Sequence, residues 1–205
     1  MSKQSDSYVY AEDAAPQGAP LLFLFHGTGG NETGLIGLGR QLAPGHHLVS
    51  PRGDVSEGGA LRFFRRTGEG VYDMDDLARA TAKMRGFIAE HVGRLQPSSV
   101  AALGYSNGAN ILASVLFDEP KVIDAAVMMH PLIPFEPKPQ PALAGKHVLI
   151  TAGRRDPICP PAMTEALASW FAAQGAHTDT AWHEGGHEMQ QQELAAVREF
   201  LARRS

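Results

Sequence analysis

Ser106 stands two residues after Gly104 and two before Gly108, where an apolar run, Val100 to Leu103, gives way to the helical spacing of Ile111, Leu112, Val115 and Leu116. The pattern predicts a strand, a sharp turn carrying the serine, and a helix. Glycines two places either side remove β-carbons that would collide across so tight a bend. A serine hydroxyl is a weak nucleophile near neutral pH; it needs a base to take its proton, and the base needs a carboxylate to fix its tautomer. The chain offers both in the order Ser106, Asp156, His187, each just past the end of a predicted strand. Open parallel sheets place their ligand sites at that edge. Acyl transfer through a covalent serine intermediate is the chemistry these three residues could do.

Two further stretches bear on such a site. His26-Gly-Thr-Gly-Gly-Asn-Glu32 follows the apolar run Leu21 to Phe25 and invites a nucleotide-binding reading. Glu32 occupies the third glycine position of a dinucleotide fingerprint, and Leu35 and Ile36 stand where a phosphate loop requires Lys and Ser or Thr, so both patterns fail. What remains is a turn whose backbone N–H groups can approach a ligand closely. The second stretch, Phe63-Phe-Arg-Arg66 running on to Tyr72, sets aromatics beside a basic cluster. It is expected to wall a substrate pocket through Phe64, Arg65 and Tyr72.

The elements that must position these residues can be read from periodicity. Continuous apolar runs at 21–25, 125–129 and 147–151 read as parallel strands buried on both faces, with shorter strands at 8–10, 47–50 and 178–182. Helices are expected at 33–42 and over a long segment opened by Asp73 and Asp76 as a capping box and closed before Pro97. Two more follow, one presenting Met163, Leu167 and Trp170 and one presenting Leu194, Val197 and Leu201. Alternation of strand and helix predicts an α/β fold with a mostly parallel central sheet covered by helices on both faces. Five prolines between Pro131 and Pro141 predict a loop there and no lid domain.

At 205 residues the chain fits one domain, 1–205. A formal charge of -4, with no concentration of Lys and Arg, argues against nucleic acid as a partner. The N-terminus carries no apolar signal and no run approaches a membrane span, so a cytoplasmic location is expected. Cys159 is the single cysteine and excludes an intrachain disulfide. The expected partner is a small-molecule ester, with no cofactor and no metal. Composition leaves the oligomeric state open, a homodimer included.

With Gly104-Tyr-Ser-Asn-Gly108, Asp156-Pro, Gly186-His187 and His26-Gly-Thr-Gly-Gly30 in view, the chain resembles the small serine carboxylesterases of the phospholipase/carboxylesterase group, α/β-hydrolases related to acyl-protein thioesterases. The resemblance implies Ser106, Asp156 and His187 as the triad and the backbone N–H groups of Thr28 and Asn107 as the oxyanion hole. It also implies hydrolysis of small or short-acyl carboxylic esters, with thioesterase or lysophospholipase activity as alternatives on the same triad. Thioesterase relatives commonly carry Gln after the nucleophile and Leu in the first loop, where this chain has Asn107 and Thr28. Both positions act through backbone, so ester hydrolysis survives the change and thioesterase specificity does not transfer.

Two rival readings come from other classes. His183-Glu-Gly-Gly-His187 spells the His-Glu-x-x-His zinc motif, which binds metal only when a helix puts both histidines on one face. Two glycines between the would-be ligands cost a helix about 1 kcal/mol each relative to alanine, and a third ligand would have to come from Glu193 or Glu199. A non-catalytic binding protein on the same scaffold is disfavoured because all three triad positions are filled.

Overall fold

In the computed structural model of the chain, which describes residues 2–5 and 7–204, strands and helices alternate as the apolar pattern requires. The first half contains β1 (Ser2–Gln4), β2 (Val9–Asp13), β3 (Leu21–Phe25), α1 (Ile36–Leu42) and β4 (His47–Pro51). Two short hairpins follow, β5 (Val55–Glu57) with β6 (Ala60–Arg62) and β7 (Arg66–Gly68) with β8 (Val71–Tyr72), and then α2 (Met74–Leu95). The second half contains β9 (Val100–Tyr105), α3 (Asn107–Asp118), β10 (Ala125–Met129), β11 (His147–Gly153), α4 (Pro161–Ala173), β12 (His177–His183) and α5 (Gln191–Ala202).

Eight strands form one sheet in the order β1-β2-β4-β3-β9-β10-β11-β12. The pairings of β1 with β2 and β2 with β4 are antiparallel, and those from β4 to β12 are parallel. Every residue of β3, β4 and β10 is buried, as parallel strands covered on both faces must be. Side chains two apart share a face. Phe23 and Phe25 therefore belong to the core on one face, with Met84, Phe87, Ile111 and Phe171 from α2, α3 and α4, while Leu22 and Leu24 belong to the core on the other, with Leu42, Val197 and Phe200 from α1 and α5.

The chain steps from β3 to β4 on one side, and β9 lies on the other side of β3. Strand order therefore reverses between β3 and β9, and at such a switch point the loops leaving the two strands part to open a crevice. Those loops begin at His26 and Ser106.

Three expectations are modified. The 53–72 segment is two hairpins and not an open loop; strands of two or three residues give too little alternation to detect. Asp73 caps α2 by accepting the Asp76 N–H at 3.0 Å, but the return arm of a capping box is missing. The Asp76 carboxylate is taken instead by the Arg65 N–H at 2.6 Å and by Arg79 at 2.7 Å. The first helix opens at Ile36, because 33–35 form a turn. The proline-rich segment is a loop ending in the short 3-10 turn Pro141–Leu143, with no lid. Among the described residues no helix is long and apolar enough to cross a membrane.

Candidate active site

Ser106 sits between β9 and α3 with φ 52° and ψ -114°, a left-handed backbone that a non-glycine residue seldom adopts. The strain is held from several sides. The Ser106 N–H donates to Met129 O at 2.8 Å, tying the turn to β10. A β-carbon on Gly108 would lie 2.0 Å from Phe25 O, and one on Gly104 2.3 Å from Gly108 O. The helix thus approaches β3 as closely as backbone atoms allow, and the glycine requirement inferred from sequence has this physical cause.

His187, in the loop after β12, brings Nε2 to 2.9 Å from Ser106 Oγ. Its Nδ1 lies 2.7 Å from Asp156 Oδ2, and its carbonyl accepts the Tyr105 hydroxyl at 2.7 Å. The Asp156 side chain is fully buried in the loop after β11. Its other oxygen accepts the N–H groups of Ile158 and Cys159 at 2.8 and 2.9 Å. Burial acts to raise the carboxyl's pKa, but these N–H groups, His130 and His187 outweigh it and hold the group below its usual range. An ionised Asp156 fixes the proton of neutral His187 on Nδ1 and leaves Nε2 to accept from the serine.

Thr28 and Asn107 line the same cavity as Ser106 and His187. Asn107 opens α3, so its N–H has no partner within the helix. Among the described residues no hydrogen bond takes up the Thr28 N–H either. The loop that carries Thr28 is pinned by Gly29 N–H to Leu61 O at 2.9 Å and by buried His26, whose Nε2 accepts the Gly53 N–H at 2.9 Å. Burial depresses the His26 pKa, which suits a neutral imidazole used as a brace.

The dienelactone hydrolase family model matches residues 66–196, most of the chain and all three convergent residues. The chain belongs to this family. A putative hydrolase, MhqD, from Bacillus subtilis is 42% identical over 182 residues, covering 88% of this chain and 91% of the relative. Among solved structures, the Agrobacterium tumefaciens protein Atu2452, of unknown function, is 55% identical with a TM-score of 0.91 and covers 98% of each chain. A Bacillus cereus carboxylesterase is 36% identical with a TM-score of 0.89, covering 94% of this chain and 92% of its own. This member of the dienelactone hydrolase family is an α/β-hydrolase of the carboxylesterase type.

The cavity of this dienelactone hydrolase family member has a volume of about 550 Å³ and lies open to solvent over Ser106. Of the three side chains expected to wall it, only Tyr72 does so, its hydroxyl fixed to Leu132 O. Phe64 is fully buried in the core, where it meets Tyr72 edge-on at 4.8 Å. Arg65 turns away to Asp73 and Asp76, each at 3.3 Å, beside the start of α2. Arg62 and Arg66 line the cavity instead. Nη1 of the buried Arg62 donates to Thr28 Oγ1 at 2.8 Å. Much of the apolar wall comes from segments not read as pocket at all: Leu132 and Pro134 after β10, and Pro157, Ile158 and Met163 around the start of α4.

The zinc motif does not form its helix. His183 ends β12 and His187 lies in bends beyond it, with their rings turned to different partners. His183 does meet His130 and Glu193 in a buried group whose ligand-type atoms lie within 4.8 Å of one another. Its Nδ1, however, accepts the Gly185 N–H at 3.0 Å, which places the proton of neutral His183 on Nε2, the nitrogen facing His130. That nitrogen, which also lies 3.6 Å from Glu193 Oε1, a carboxylate oxygen able to accept its proton, has no lone pair for a metal. Sequence reasoning missed His130 because a lone histidine at a strand end gives no signal of what it will face.

Proposed function

We propose that the chain is a serine carboxylesterase that cleaves small or short-acyl esters through an acyl-enzyme on Ser106. The observation that carries this reading is the continuous hydrogen-bonded path from Ser106 Oγ through His187 to Asp156, opening into a cleft beside the N–H groups of Thr28 and Asn107, which have no partner among the described residues. His187 Nε2 takes the serine proton as Oγ attacks the ester carbonyl, and the N–H groups of Thr28 and Asn107 receive the developing oxyanion. The tetrahedral adduct expels the alkoxide, which leaves with the proton from His187. Water, deprotonated by the same imidazole, then releases the acid and frees Ser106. One oxyanion donor is worth about 2.7–4 kcal/mol of barrier in such sites. Nucleophile, base and donors all come from the chain, so the reaction needs no cofactor, and we place it in the cytoplasm.

The cleft is open to solvent, with Leu132, Ile158 and Met163 on its apolar side, which favours a short acyl group. Each methylene gains about 0.8 kcal/mol, roughly fourfold in kcat/KM, only while it is buried. Across p-nitrophenyl esters from two to sixteen carbons, held below their micelle concentrations, kcat/KM should rise over the first few carbons and then level off. A steady rise to the longest chain contradicts the short-acyl reading. Faster turnover of a thioester than of the matching oxygen ester moves the assignment to a thioesterase on the same residues.

A further inference from the structure

Asp156 serves two histidines. Oδ2, which holds His187, also lies 2.9 Å from Nδ1 of His130, a residue that is wholly buried at the end of β10 and has φ 52°. On its far side, His130 Nε2 lies 3.2 Å from Glu193 Oε2 and 3.3 Å from His183 Nε2. Glu193 is equally buried; it accepts the Thr151 hydroxyl and the Gln190 N–H, each at 2.6 Å. Two buried carboxylates therefore flank one imidazole. A neutral His130 would turn a lone pair toward one of them, whereas an imidazolium donates to both. Burial alone would push the His130 pKa down, but Glu193 and Asp156 outweigh it and the net direction is up.

We infer that His130 is a positioning residue for the proton relay: a buried cation, held in place by Glu193, that orients the Asp156 carboxylate toward His187 and offsets part of its charge. The inference rests on the serine mechanism proposed above. His187 must be neutral to act as base, and a bare carboxylate beside it stabilises the imidazolium. Partial neutralisation of Asp156 by His130 thus keeps His187 competent to lower pH, while the hydrogen bond still fixes its tautomer. The other groups around the two rings are Tyr105 from β9, Ser106 at the start of α3, Thr151 from β11, Cys159 after Asp156, His183 at the end of β12, and Glu188 beyond His187. Besides Asp156, Glu193 is the buried acid that faces His130.

The test compares Glu193→Gln, which keeps the helix cap of α5, with His130→Asn, whose amide can still donate to Asp156 and whose backbone tolerates positive φ. In both, the acid limb of kcat/KM, and of fluorophosphonate inactivation against pH, should move up by about 1 pH unit. The plateau should fall less than tenfold, and the double variant should move the limb no further than the larger single shift. A merely structural role lowers the plateau without moving the limb; that result, with Ser106→Ala inactive, overturns the inference and leaves the serine mechanism standing. Full activity in Ser106→Ala overturns both. Nitrogen-15 NMR of the wild-type side chains decides the charge even where a variant fails to fold: at pH 7 both nitrogens of His130 should carry protons, and a neutral ring contradicts the proposal.

Discussion

His183 and His187 lie four residues apart and each faces buried polar groups, yet they are not equivalent. His187 is aimed at Ser106, whereas His183 meets His130 from behind the relay. His187→Ala should lower kcat by about 10⁴-fold or more, as removal of a triad base does elsewhere, while His183→Ala should stay within about tenfold of wild type. Steady-state kinetics with a short p-nitrophenyl ester separates the two, and the reverse ranking contradicts the assignment of the base. Ser106, Asp156 and His187 were legible because their chemistry has a required chain order and each follows an apolar strand. Arg65 was misplaced because Asp73 and Asp76, at the start of α2, draw its side chain away from the cavity that Arg62 and Arg66 reach. Glu193 entered only as a third ligand for the rejected zinc reading. Its partner, His130, is 63 residues away in sequence, and no local pattern connects them.

Apolar runs gave the strands, since a parallel strand buried on both faces is mostly apolar and admits a polar residue only where it finds a partner, as Ser50 does in Leu24 O, and helical periodicity gave the helices to within a few residues. The short hairpins between β4 and α2 escaped, having too few residues for a period to emerge. The turn at Ser106 is the element whose local chemistry matters most, and its glycines can be told from the others by what a side chain would meet. A β-carbon on Gly108 would run into the backbone of β3, whereas one on Gly86, exposed within α2, meets nothing within 4 Å. Gly108→Ala should therefore destabilise the fold by about 3 kcal/mol or more, and Gly86→Ala should stabilise it by about 1 kcal/mol. Urea unfolding measures both; a Gly108→Ala protein as stable as wild type contradicts the close approach of α3 to β3.

No stretch of sequence says which strands are neighbours, and the active cleft exists only through that arrangement. The loops after β3, β9, β11 and β12 meet at one sheet edge, with Ser106 and His187 separated by 81 residues along the chain. The right-handed crossover rule for parallel strands and the reversal of order between β3 and β9 account for the convergence once the order is known. Local propensity could not supply the order itself. The central claim, that this convergence performs acyl transfer on a serine, is tested most directly by trapping the intermediate. Wild-type protein quenched in acid during turnover of a p-nitrophenyl ester should carry one added acyl mass on the peptide containing Ser106, and Ser106→Ala protein should carry none and show no turnover. An acyl group on another residue, or undiminished hydrolysis by Ser106→Ala, would contradict the account.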